Sequence, residues 1–148
     1  MKPALYLRIA SAAVMVQAAL HTVGGVFGTP RPGAAAIAAA AMKTNHFAVT
    51  GLDRTYWDFY IGFGLGITIF LVVEGVVFWL LGNLAAKGVE VRPIAAVFCL
   101  GYVSLAVLAY LFFFAGPMIF DVLVATLLGL AAFASKPVVV RSTVITPC

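Results

Sequence analysis

Four stretches of this chain are each long and apolar enough to cross a lipid bilayer, and that restricts its fold more than any other feature. They run from about Leu5 to Gly24, Trp57 to Leu81, Ile94 to Phe114 and Met118 to Ala134. A helix crossing the hydrocarbon core needs about 20 mostly apolar residues, with a lower limit of about 17 that the last stretch only just reaches. Lipid cannot hydrogen-bond a backbone, so a spanning segment must satisfy its own N–H and C=O groups as a helix or in a closed barrel. Continuous apolarity without alternation, rich in alanine and leucine, selects the helix. Composition points the same way. The chain is 64% hydrophobic and 9% charged, whereas soluble domains run at roughly 45–50% and about 25%. Nine basic and five acidic side chains cannot cover a water-soluble surface on 148 residues.

The expected fold is all-α: an antiparallel, left-handed four-helix transmembrane bundle. It forms a single domain over 1–148, with spans at about 5–24, 57–81, 94–114 and 118–134 and a cytoplasmic tail at 135–148. Only "AGPM" separates the third and fourth spans, which must form a tight hairpin. Pro117 suits the first turn of the fourth, where its missing N–H costs nothing. Between spans one and two, Pro30 and Pro32 lead into an alanine run that reads as a short helix from about Gly33 to Met42. Ten residues cannot span, so this helix is expected at the interface, across the bundle mouth. The first span also has the grammar of a secretory signal, with a basic start and small residues at Ala18 and Ala19. It is read as a retained first helix.

Orientation follows the lysine and arginine bias. With the N-terminus inside, Lys2, Arg8, Lys87, Arg92, Lys136 and Arg141 gather on the cytoplasmic side, against Arg31, Lys43 and Arg54 outside. This six-to-three split predicts a multi-pass inner-membrane protein with both termini cytoplasmic. The net charge of +4 then reflects topology and contact with anionic lipid rather than nucleic-acid binding. Cys99 and Cys148 make no disulfide framework, and Cys99 reads as a small apolar packing residue.

The segment "RTYWDFYIGFGLG", residues 54–66, marks an entry into the membrane. Thr55 and Asp58 have capping-box spacing, and the acid lies where the helix dipole favours it. Tyr56, Trp57, Phe59 and Tyr60 sit as an aromatic belt at the water–lipid boundary. Gly62 and Gly66 form a GxxxG pair expected to admit a neighbouring helix.

A functional reading stands beside this structural one. Arg54, Asp58, Tyr60, His21, His46 and Asp121 fall near the outer mouth and would make a polar pocket roofed by the alanine helix. Glu74 is harder to explain structurally. It lies seven residues from the inner end of its span, about 10 Å deep at 1.5 Å per residue. A carboxylate at that depth should face the interior, pair or protonate, and is by default a functional candidate. Asp58 and Glu74 are about 160° apart around one helix, so they do not share a seam. Arg8 and Tyr102 are the candidate partners of Glu74. Gln17, one turn before His21, is either interhelical glue or the lining of a cavity.

No cluster has zinc or haem spacing, and no nucleophile–base pair, phosphate loop or dinucleotide fingerprint is present. No metal and no cofactor are expected. On "HTVGG" at 21–25, "AMK" at 41–43 and above all "RTYWDFYIGFG" at 54–64, the chain resembles an uncharacterised family of small bacterial four-helix membrane proteins. The resemblance runs through the first two spans and implies a bacterial inner-membrane protein. That family has no established activity, so no functional residue is carried over. Size and helix count are also similar to the membrane-associated eicosanoid and glutathione enzymes, whose arginine-rich glutathione motif is absent. The expected function is a small membrane protein that binds a lipid or hydrophobic molecule, or serves as a partner subunit in a homo-oligomer or larger membrane complex. Two alternatives stay open: a membrane enzyme using Glu74 or His21 as acid–base group, and proton-coupled transport by an oligomer.

Overall fold

A computed structural model describes residues 2–135. Its elements in chain order are helix α1 (Lys2–Leu20), a π-helical turn (His21–Val26), α2 (Ala34–Thr44), strands β1 (His46–Val49) and β2 (Leu52–Thr55), α3 (Tyr56–Ala86), α4 (Arg92–Phe112) and α5 (Ala115–Ala134). Beyond Ser135, the expected tail lies outside the described residues. Four segments are long and apolar enough to cross a membrane: Lys2–Val26, Tyr56–Ala86, Arg92–Phe112 and Ala115–Ala134. The protein is thus built as a multi-pass membrane protein. Its large side chains face outward to match: Phe63, Phe70, Tyr110, Phe112 and Phe133 are between 70% and 84% exposed. A patch of that kind has no place in water but needs no cover in hydrocarbon.

Helix ends follow backbone signals rather than the ends of apolar runs. α3 has 31 residues, about 46 Å at 1.5 Å per residue, so it outruns a hydrocarbon core of about 30 Å. It continues past Leu81 through Asn83 and stops at Gly88, whose φ of +81° an L side chain rarely adopts. There the Val89 N–H bonds the Leu84 carbonyl at 3.1 Å and the Gly88 N–H bonds that of Ala85 at 3.1 Å. This is a Schellman ending, which satisfies carbonyls that the helix leaves open. Pro93 and Pro117 both fall in first turns, of α4 and α5, and only Phe113 and Phe114 separate those helices.

Packing divides the chain into two compact units, one comprising the chain up to Ala10 and from Phe78 onward, the other Ser11–Val77. The boundary passes through α1 and α3. In the first unit α4 packs along α5. Small residues are buried on both helices: Ala95, Ala106 and Ala109 of α4, and Ala125, Ala131 and Ala132 of α5. The Cys99 thiol donates to the Ala125 carbonyl at 3.2 Å. Phe78 is fully buried, edge-on to Phe98 with centroids 5.0 Å apart and 6.1 Å from the Tyr102 ring. The start of α1 lies against Gly82, where an added Cβ would come within 3.3 Å of the Ala4 carbonyl.

In the second unit the rest of α1 and its π turn run antiparallel to the first half of α3. Ser11 meets Gly75, Thr22 meets Thr68 and Gly25 meets Tyr60. Close approach is made at glycines other than the expected pair. A Cβ on Gly64 would come within 2.7 Å of Val26 Cγ2, and one on Gly75 within 2.9 Å of Met15 Sδ. Around Gly62 and Gly66 nothing lies within 4 Å. The reason is angular. Gly64, Gly75 and Gly82 are separated by eleven and seven residues, which drift only about 20° each way, whereas Gly62 and Gly66 stand about 160° from Gly64.

Candidate functional site

Inside the second unit, polar side chains bridge α1 and its π turn to α3 at several levels, and three of the acceptors are glycine carbonyls. Ser11, buried, donates to the Gly75 carbonyl at 2.7 Å. Tyr60 donates its hydroxyl to the Gly25 carbonyl at 2.7 Å. His21 Nε2 lies 3.0 Å from the Gly64 carbonyl. A helical carbonyl retains a second lone pair, and without a side chain above it a glycine leaves that lone pair within a neighbour's reach. In hydrocarbon an unmatched hydroxyl or ring N–H would cost several kcal/mol, so the bridges are demanded by the solvent. A carbonyl only accepts, and this puts a proton on His21 Nε2.

The π turn belongs to this seam. Phe27 N–H bonds the Thr22 carbonyl at 3.0 Å, five residues back, and the turn includes Gly24 and Gly25. The Thr22 hydroxyl donates to the Ala18 carbonyl at 2.7 Å, which leaves its oxygen to accept from Thr68 at 2.9 Å. The single Thr68 proton also reaches the Gly64 carbonyl, 3.1 Å away. Single π turns inside α-helices recur at functional sites. Gln17 and Glu74 are both half-buried. The pairing of Ser11 with Gly75 and Thr22 with Thr68 puts Gln17 between those levels and Glu74 beside the first.

Around the start of α3, the expected capping box is formed in full. The Thr55 N–H and hydroxyl both donate to Asp58 Oδ2, at 2.8 and 2.9 Å, and the Asp58 N–H donates to Thr55 Oγ1 at 3.1 Å. Ahead of it β1 and β2 make an antiparallel hairpin, with Ala48 opposite Asp53 and Val49 opposite Leu52. Its turn places Thr50 and Gly51 at φ +48° and +83°, as a two-residue turn matched to strand twist requires. Phe47 wedges against Tyr56 and Phe59, with centroids 4.7 and 5.4 Å apart. His46 Nδ1 pairs with Asp53 Oδ2 at 2.9 Å on the exposed face, and the Arg54 guanidinium donates to the Asp53 carbonyl at 2.9 Å.

Five of the six residues expected at the outer mouth, Arg54, Asp58, Tyr60, His21 and His46, lie in this unit. Each polar group is committed to a neighbour: Asp58 to its cap, Tyr60 and His21 to carbonyls, and Arg54 and His46 to Asp53. An open cleft of about 430 Å³ forms between the end of the π turn, α2 and α3, lined by Val26, Phe27, Gly28, Thr29, Pro30, Lys43, Trp57 and Ile61. Its one charged residue is Lys43, whose ammonium lies 4.4 Å from the centre of the Trp57 ring. The cation is held by the ring face and fixes α2 against α3. Sequence reasoning placed Lys43 and Trp57 separately, one in a loop and one in a belt. Only the fold of α2 across β2 brings them together.

In the first unit, Asp121 and Tyr102 are both buried. The Cys99–Ala125 contact sets the register of α4 on α5, and it brings Tyr102 and Asp121 to the same level of that pair. Within the first unit, Arg8 Nη2 donates to Asn83 Oδ1 at 3.1 Å and its guanidinium lies 5.4 Å over the Trp79 ring. Among the described residues no three of His, Cys, Asp and Glu are placed to hold a metal ion. No family model matches the chain, and neither a curated protein nor a solved structure does.

Proposed function

We propose that this multi-pass membrane protein binds an amphiphile with an anionic head and an apolar tail in the Lys43–Trp57 cleft. The observation that carries the reading is the cleft lining. Lys43 faces Val26, Phe27, Pro30, Trp57 and Ile61 with no carboxylate among them. Its volume lies at the lower end of the ~300–1,000 Å³ of ligand sites. A carboxylate or phosphate head would take Lys43 while the tail lies along the aromatic belt, where Trp57 marks the water–lipid boundary. The four spans form an antiparallel bundle in a bacterial inner membrane. α2 lies at the outer interface, and the excess of lysine and arginine keeps both termini cytoplasmic.

Trp57 makes the reading measurable, because the chain has only two tryptophans. In a Trp79→Phe background, a stearic acid brominated along its chain should quench Trp57 saturably. Lys43→Gln should weaken the titration about ten-fold, the loss of one charge-assisted contact. Quenching that is linear in the probe, or equal with the brominated alcohol, contradicts a built site.

A further inference from the structure

At the start of α1 and the end of α3, inside the first unit, a second cleft of about 370 Å³ is lined by Lys2, Ala4, Leu5, Arg8 and Ala86. We propose that it holds the phosphate of an anionic phospholipid, independently of the Lys43 cleft. The cleft has two cations and no acid. Arg8 is already oriented for the purpose: Asn83 accepts one of its five N–H groups, and the Trp79 ring lies beneath the guanidinium. A fork held in this way retains donors for two oxygens of one phosphate and spends little further entropy on binding. Lys2 adds a second charge in the first turn of α1.

The apolar part of the cleft selects a lipid over a free ion. Leu5 lines the cleft, and Ile9 follows one turn further along the same face. Both are exposed, at 58% and 45%, giving an acyl chain a track from the headgroup into the bilayer. Lys87 and Arg92 follow Ala86 in the chain against the single acid Glu90, so the local field also attracts an anionic headgroup.

The test uses the full chain in neutral detergent and a phosphatidylglycerol carrying an acyl-chain fluorophore, read by anisotropy. Unlabelled phosphatidylglycerol should displace the probe at about one-tenth the concentration of phosphatidylcholine, one charged contact being worth roughly a factor of ten. Arg8→Gln should weaken binding about ten-fold, and so should Lys2→Gln, an exposed change at a helix start that leaves folding intact. Lys43→Gln should leave the titration unchanged, which separates this site from the other. Equal displacement by the two lipids overturns the proposal, as does Lys2→Gln and Arg8→Gln binding like the parent chain. Displacement by millimolar inorganic phosphate would make it a free-phosphate site and equally overturn it.

Discussion

Replacing Gly64 by alanine puts a methyl carbon 2.7 Å from Val26 Cγ2, 0.7 Å short of the 3.4 Å at which ordinary contact begins. Val26 cannot easily yield, since it is 3% exposed and β-branched, hence stiff at χ1. Overpacking of this kind costs about 1–3 kcal/mol. Alanine also gains up to about 1 kcal/mol over glycine in a helix interior, which would mask part of the loss. Gly62→Ala isolates the contact: the same gain applies two residues away, and nothing lies within 4 Å. Gly64→Ala should therefore fall about 1–3 kcal/mol below Gly62→Ala in reversible SDS unfolding from mixed micelles, followed by circular dichroism. Val26→Ala should recover much of the deficit, because the nearest remaining atom, Val26 Cβ, lies at 3.6 Å. Gly64→Ala as stable as Gly62→Ala would refute the close approach of the π turn to α3.

Ser11→Ala removes the buried 2.7 Å bond to Gly75 and should cost about 0.6–1 kcal/mol in the same titration, with no change expected from Ser104→Ala, whose hydroxyl bonds only its own helix. Thr55→Val dismantles the capping box and should cost about 1 kcal/mol, with faster hydrogen exchange confined to the first turn of α3. With Cys99 and Cys148 replaced by alanine, a membrane-impermeant maleimide should label Ala48→Cys on intact spheroplasts and Lys87→Cys only after permeabilisation. The reverse pattern would invert the proposed orientation.

What could be read beforehand was whatever depends on solvent preference or on a local backbone signal. The four spans are visible because lipid demands long apolar runs, and the Thr55–Asp58 box because its two residues are three apart. Boundaries were less visible: Asn83 and Ala86 look like the end of a span, yet α3 persists until Gly88 supplies a left-handed turn. The hairpin at 46–55 was missed because its turn is Thr-Gly, where Asn-Gly or Asp-Gly is the usual signal. The π turn carries only two adjacent glycines as a sign. At the site, His21 and Tyr60 stand out in the sequence as polar residues, but their acceptors are backbone carbonyls, which no sequence pattern reveals. Gly62 and Gly66 attracted attention by their GxxxG spacing. The glycines that admit a neighbour, at 64, 75 and 82, share a face at a longer period.

The central claim is that hydrocarbon solvates the four long helices, and membrane fractionation tests it most directly. After an alkaline carbonate wash the chain should stay with the membrane pellet and come away only with detergent. Release by the wash, with a monodisperse protein in plain buffer, would contradict the account.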